Sequence, residues 1–301
     1  MTRAAARQPW TLLACPCCLG TMARQPHDAL ACRNCGRRFP AEEGMPSLVS
    51  TTRRPALDAF TSRYQRARLK DGWRPLGRAE RLALPEAAPE GYPPLYWPVR
   101  RQTYEALLGF LGDTGMEPTA CPAADVGAGT GWLAYRLAQR GHPSLALDGS
   151  LDIDFGLGAS GPYVSACRPR LLPVRADLDA LPLRPGALAL VILNPSLHHA
   201  SDVGHTLGRA ARALAPGGHL LILDTPIYRQ PRSGTAEANQ RLAQGELIAQ
   251  LTAAGLEPSV LSVFRGFRWL ACQTRHVLRG RSLFSFPLLV GSKPSHSGGA
   301  S

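Results

Sequence analysis

Residues 125–132 read DVGAGTGW, placing Gly127, Gly129 and Gly131 around Ala128 directly behind Asp125. Glycine permits the positive φ angles of a tight turn and removes the Cβ atoms that would keep a ligand away from the backbone. A dinucleotide fingerprint, G-x-G-x-x-G, needs its third glycine at position 132, where Trp132 stands. The G-x-G-x-G spacing behind an aspartate suits a ligand without a pyrophosphate. Such a ligand could set a carboxylate against the N-terminus of the following helix and an amine against Asp125.

A second cluster lies near the start of the chain. Cys15-x2-Cys18 and Cys32-x2-Cys35 form two knuckles separated by thirteen residues, a spacing that can bring four thiolates onto one tetrahedral Zn²⁺. Iron accepts the same four thiolates, and Cys17 is a spare. Cys121, Cys167 and Cys272 stand alone, so the clustering favours a metal over disulfides and a reducing compartment.

These residues need elements to position them. Strand candidates at 121–126, 144–148, 172–176, 188–193 and 219–224 alternate with helical patterns, as in a doubly wound parallel sheet. Pro122 in "ACPAAD" predicts a short first strand. Helices are expected over "WLAYRLAQRG" after the glycine loop, over "TLGRAARALAPGG" up to Pro216, Gly217 and Gly218, and over Ala236 to Ala254. Two late strands, "SVLSVF" and "FSFPLLVG", flank the basic stretch "RGFRWLACQTRHVLRGR". An amphipathic helix over about Val99 to Leu111 precedes the sheet. The organisation expected is a zinc unit at 10–50, a helical cap and linker at 51–111, a cofactor-binding domain at 112–293 and a disordered tail at 294–301.

The chain has 301 residues and a net charge of +12, of which 1–120 and 265–301 each contribute +6 while 121–264 is neutral. Basic flanks around a neutral middle fit an anionic small molecule or a nucleic acid, although 32 of the 34 basic residues are arginine, as biased codon usage would also produce. No apolar run reaches membrane-span length, and the start lacks a signal-peptide core, so a cytoplasmic protein is expected.

"DVGAGTG" resembles the first motif of class I S-adenosylmethionine (SAM)-dependent methyltransferases of the type 11 kind, and the later motifs follow in that family's order over roughly residues 100–290. The resemblance implies a Rossmann-like α/β fold with SAM as cofactor. It makes Asp148, ending "SLALD", the residue that grips both ribose hydroxyls, and Asp177 in "VRADLDALPL" the acceptor from the adenine amino group. Leu178 and Asn194 complete the implied cofactor-binding set. After Asp148, "GSLDIDFGLGASGPY" is glycine-rich where the family has a regular helix. "CPCC", "CRNC" and "RRFPAEEGMPSLV" resemble the zinc-ribbon family whose stand-alone member activates tRNA and rRNA methyltransferases; bracing the fold and reading RNA are both open roles.

The loop Asn194-Pro195-Ser196-Leu197-His198-His199 follows the fourth strand, at the sheet edge where such folds bind ligands. His198 or His199 could act as general base, since imidazole titrates near neutral pH, or could simply pack the start of a helix. Leu197 stands where amino methyltransferases of exposed adenine or glutamine carry an aromatic ring, which argues against that branch. Tyr228, beyond Asp224, either lines the acceptor pocket or covers the sheet edge. The stretches "FTSRYQRARLKDGW" and "YWPVRRQTY" fall where the family carries a substrate-covering cap, and can be that or an ordinary amphipathic helix. Three functions follow: methyl transfer to a small or lipid-like acceptor, RNA methylation gripped by the zinc unit and basic flanks, or non-catalytic SAM binding in a partner protein.

Overall fold

The computed structural model describes residues 8–116, 118, 121–228, 242–263, 265–266, 269–271, 274 and 284–295. Arg229, the start of the helix expected from Ala236, Cys272, most of the basic stretch after Arg265 and the tail beyond 295 lie outside the described residues.

The N-terminal unit contains short strands β1 (Met22–Arg24), β2 (Leu30–Cys32), β3 (Arg38–Phe39), β4 (Ala41–Glu42) and β5 (Met45–Pro46). Helices α1 (Arg54–Lys70), α2 (Arg78–Ala83) and α3 (Tyr96–Asp113) follow, and α3 runs past the boundary expected at 111. Then come β6 (Ala123–Val126), α4 (Trp132–Gln139), β7 (Ser144–Asp148), α5 (Gly161–Cys167), β8 (Leu171–Arg175), β9 (Leu188–Leu193), α6 (Val203–Ala213) and β10 (Leu214–Ile222). The described remainder is β11 (Ile227–Tyr228), β12 (Leu242–Ala243), α7 (Gln244–Ala253), β13 (Glu257–Leu261), β14 (Phe284–Ser285) and β15 (Leu288–Ser292).

Seven strands form the central sheet in the order β13-β15-β10-β9-β6-β7-β8. The five strands from β10 to β8 run parallel, and β15 is antiparallel to both β10 and β13. The fold is therefore Rossmann-like and mostly parallel, with one antiparallel strand that hydropathy alone did not orient. β6 begins after Pro122, whose missing N–H cannot join a ladder. Two helix boundaries differ from expectation: α6 stops at Ala213, and Pro216 to Gly218 lie within β10, where the ladder with β9 shifts register between Leu214 and His219. The Gly-rich stretch after Asp148 holds a 3₁₀ turn at Leu157–Ser160 before the short α5.

Alternation along the strands gives the sheet two apolar faces. Ala123, Ala146, Leu190 and Ile192 pack with α3, α4 and α5, whereas Ala124, Leu145, Val191 and Leu220 pack with α6 and α7. The second face also receives Leu12, Leu13, Met22, Phe39 and Leu48 from the N-terminal unit, so the unit shares the core of the sheet domain. Backbone bonds seal the union: Ala14 N donates to the Pro182 carbonyl at 2.8 Å, Arg184 N to Leu12 at 2.8 Å, and Leu48 N to Arg175 at 2.8 Å. The last of these extends the exposed edge of β8, which would otherwise be a free pairing edge.

Helix α1 is built differently, since none of its residues is buried. Polar contacts fasten it: Arg54 pairs with Glu42 at 2.7 Å, and Asp58 pairs with Arg175. Arg175 also pairs with Glu42, joining the N-terminal unit, the cap and the sheet edge at one buried guanidinium.

Candidate active site

The strand order reverses between β6 and β9, so the carboxyl ends of β6, β7 and β9 open a crevice at the switch point. A cavity of about 360 Å³ occupies it, bounded by the glycine loop on one side and by α1 and α3 on the other. Gly127 has φ +71°, and a Cβ there would lie 2.2 Å from the Cβ of Ser196, so both backbone angle and space demand glycine. The Ser196 hydroxyl donates to the Val126 carbonyl at 2.5 Å and ties the β9 loop to the β6 loop.

Asp148 accepts from Gly129 N and Ser150 N, each at 2.8 Å. Burial raises its carboxyl to about 6, against the pull of those backbone donors. Asp125 is 2% exposed and is raised to about 8, first by burial and further by the nearby Asp148, while an Ala134 backbone bond opposes the rise. The Asp125 Oδ1 and Asn194 Oδ1 atoms are buried and accept no hydrogen bond. These orphaned acceptors, beside a loop too narrow for a Cβ, fit a ligand that brings N–H or O–H donors.

Ala128, Gly129, Asp148, Asp177, Leu178 and Asn194 line the cavity with Gly127; Asp125 and Gly131 are not among the lining residues. Asp177 is already engaged by the cap, accepting from Arg53 Nε at 2.7 Å on Oδ2 and from Asp179 N at 3.0 Å on Oδ1. Arg53 also reaches Asp179 at 2.7 Å. Sequence reasoning did not anticipate this clamp, because a pair 124 residues apart leaves no local pattern.

The two histidines separate. His199 lines the cavity and meets the rings of Phe60 and Tyr64 edge-on at 5.3 and 5.7 Å, so α1 is seated on it. His198 packs 4.0 Å from His199 and is not among the lining residues; burial, then His199 and Arg68, lower it to about 3. So weak a base takes no proton near neutrality. Tyr228 sits in β11, paired with β12 and β14 and 5.9 Å from the Phe284 ring, and does not line the cavity.

The far wall is aromatic, with Phe60, Tyr64, Trp73, Tyr92, Tyr96 and Trp97. Arg100, also lining, was missed as an individual residue. Its signal was present: it interrupts the buried stripe Trp97, Tyr104, Leu107 and Leu111 along α3.

In the N-terminal unit, the sulfurs of Cys15, Cys18, Cys32 and Cys35 all lie within 4.8 Å of one another. Cys15 and Cys35 are 3.7 Å apart, and Cys18 and Cys32 3.5 Å. A tetrahedral Zn²⁺ with Zn–S of about 2.3 Å needs S···S edges of about 3.8 Å, so the residues fit the ion. Backbone N–H groups of Asn34 and Cys35 point at Cys32 Sγ at 3.4 Å, as suits a thiolate. The spare Cys17 instead accepts from Arg37 at 2.8 Å.

Comparison with known proteins agrees with this geometry. Residues 124–222 match the family model of a methyltransferase domain. The chain is 30% identical over 175 residues to a malonyl-acyl-carrier-protein O-methyltransferase of Geobacter sulfurreducens, covering 53% of this chain and 64% of that one. It is 28% identical over 177 residues to the 27-O-demethylrifamycin SV methyltransferase of Amycolatopsis mediterranei, covering 54% and 65%. It thus spans somewhat under two thirds of the length of these relatives. Among solved structures, the 1,6-didemethyltoxoflavin-N1-methyltransferase of Burkholderia thailandensis superposes with a TM-score of 0.50 at 18% identity, over 87% of this chain and 97% of that one. No helix among the described residues is long and apolar enough to cross a membrane. Residues 124–222 are therefore similar to a methyltransferase domain, and they lie in a Rossmann-like, mostly parallel α/β fold.

Proposed function

We propose that the chain is a SAM-dependent methyltransferase acting on a small-molecule acceptor. One observation carries this: a single cavity gathers the glycine loop, Asp148, Asp177 and Asn194 on one wall and a cap of aromatic residues on the other. In this reading Gly127, Ala128, Gly129 and Gly131 admit the methionine end of SAM, with its ammonium toward Asp125. Asp148 accepts from both ribose hydroxyls, and Asn194, Asp177 and Leu178 border the adenine side. SAM supplies an activated methyl group for in-line displacement. The chain's own task is then to align the acceptor, exclude water under α1 and remove a proton. His199 is the general base in this assignment; His198 stays neutral and packs behind it, and Tyr228 covers the sheet edge.

The small-molecule reading is favoured over RNA because four arginines around the cap are engaged by groups of the chain itself, while Arg63, Arg66 and Arg78 are exposed. Arg53, Arg54 and Arg74 pair with carboxylates of the same chain, and Arg81 donates to three of its carbonyls. The four cysteines are assigned to a structural Zn²⁺ that braces the shared core. Isothermal titration with S-adenosylhomocysteine (SAH) tests the cofactor assignment: micromolar binding is expected, weakened at least about 30-fold in Asp148→Ala, which loses two charge-assisted hydrogen bonds. Absence of binding by folded protein would overturn it. Methyl transfer from SAM to a supplied acceptor separates an enzyme from a non-catalytic SAM binder.

A further inference from the structure

We infer that Arg100 is the counter-ion for an anionic group on the methyl acceptor, and that the acceptor is an aromatic molecule bearing a carboxylate. This rests on the methyltransferase reading and names the substrate class of that site.

Four arginines line the cavity. Arg53 is clamped to Asp177 and Asp179, Arg81 is engaged by the carbonyls of Leu76, Ile153 and Ala159, and Arg63 is exposed. Arg100 differs from all three. It is only 8% exposed, yet no carboxylate of the described residues lies within 4.0 Å of it. Its one hydrogen bond among the described residues runs from Nη1 to the Tyr96 carbonyl, one turn back on the same helix, at 3.3 Å. The guanidinium otherwise stacks 3.3 Å from the centroid of the Tyr96 ring.

One neighbouring carboxylate is shared between Arg100 and a second guanidinium. Asp224, 4% exposed at the end of β10, is the acid facing this part of α3, and its ion-pair partner is Arg265 at 3.6 Å. Thr103 donates to Asp224 at 2.5 Å and Arg265 donates to Thr103 at 2.6 Å; the charge of Arg100, outside ion-pair distance, also helps to hold the Asp224 carboxyl down against the burial that raises it. Two buried guanidiniums and one carboxylate leave a surplus positive charge beside the cavity. A buried charge without a partner is costly, and a bound anion removes that cost.

A second observation points the same way. The indole N–H of Trp97, one turn before Arg100 on the same helix face, is buried and has no acceptor. Both donors belong to α3 residues that line the cavity together with Tyr96, Tyr92 and Trp73. An aromatic carboxylate meets both demands, its ring against the wall and its oxygens on the guanidinium fork.

The test uses a matched pair that differs in charge: 2-naphthoate and methyl 2-naphthoate, titrated calorimetrically into the zinc-loaded, SAH-saturated protein. SAH affinity is measured first on every variant. Wild type should bind the acid at least tenfold more tightly than the ester. Arg100→Gln should weaken the acid at least tenfold while leaving the ester and SAH within about threefold. Arg100→Lys, which keeps the charge without the fork, should fall between, and keeps the test available if the glutamine variant does not fold. Equal binding of acid and ester by wild type, failure to bind either, or a preference for the acid that survives in Arg100→Gln overturns the assignment while SAH binding leaves the cofactor reading intact. Loss of SAH binding in wild type overturns both.

Discussion

With the SAM ammonium placed at Asp125, as proposed, cofactor binding should depend on pH. Folding raises its carboxyl from 3.8 to about 8, so near neutral pH the unliganded protein holds it largely protonated. An ammonium placed beside it requires the carboxylate. Binding then expels a proton, and the apparent Kd carries the factor 1 + 10^(pKa − pH). Between pH 6 and pH 7.5 that factor falls from about 100 to about 4, so SAH should bind about 25-fold more tightly at the higher pH, or about 1.9 kcal/mol. The window stops there because an α-amino group itself begins to lose its proton near 8. Asp148, at about 6, adds at most about a further factor of two at the acid end. Titration at pH 7 in two buffers of different ionisation enthalpy should read release of about 0.9 proton per SAH. In Asp125→Asn both the pH slope and the released proton should vanish. The stability of the unliganded protein runs the opposite way: a raised carboxyl contributes stability that is fully present below the ordinary carboxylate range and is lost as pH rises through about 8. Wild type should therefore lose melting temperature relative to Asp125→Asn between pH 6 and pH 8. A pH-independent Kd with no proton released would refute the placement of the ammonium at Asp125.

Gly127→Ala should abolish SAH binding and cost about 3 kcal/mol of stability, since the new Cβ meets Ser196 at a positive φ; adding Ser196→Gly should relieve the collision but not the φ strain, which denaturant melts of the single and double variants will separate. Arg175→Ala should cost about 3 kcal/mol in urea unfolding, because it leaves Glu42 and Asp58 without the guanidinium that joins three parts of the chain. Zinc removal by chelation, or Cys32→Ser, should lower the melting temperature of the whole chain by about 10 °C rather than release a separate N-terminal transition, because Leu12, Leu13 and Leu48 belong to the core of the sheet. His199→Ala should cut methyl transfer to an oxygen or nitrogen acceptor at least about 100-fold with SAH affinity kept, whereas His198→Phe should retain most activity.

What could be read in the sequence was local chemistry. Short apolar runs bounded by glycine and proline marked β6 to β10 because strand burial leaves a pattern within five or six residues. The glycine loop was legible for the same reason: φ and close approach are demands on single residues. The two cysteine knuckles were equally plain, since four ligands that could share one ion demand paired, regular spacing. Long-range electrostatics were not legible. Nothing near Asp177 announces that Arg53 holds it, nothing in "HH" tells which ring faces the cavity, and the positions of Asp224 and Arg265 become related only once β10 lies beside α3.

That division has a functional meaning. The cofactor half of the cavity is built from β6, β7 and β9 and from backbone groups, so it is fixed once the sheet forms. The acceptor half is carried by α1 and α3, and α1 buries none of its residues in the core. Its hold on the sheet consists of Arg53 on Asp177, Arg54 on Glu42, Asp58 on Arg175, Leu57 against Gly149, and two rings on His199. Contacts of this kind can be remade more cheaply than a packed core, because each exchanges with water at a net cost of about 1 kcal/mol. The same polar fastening that left so little trace in the sequence is what holds α1 over His199.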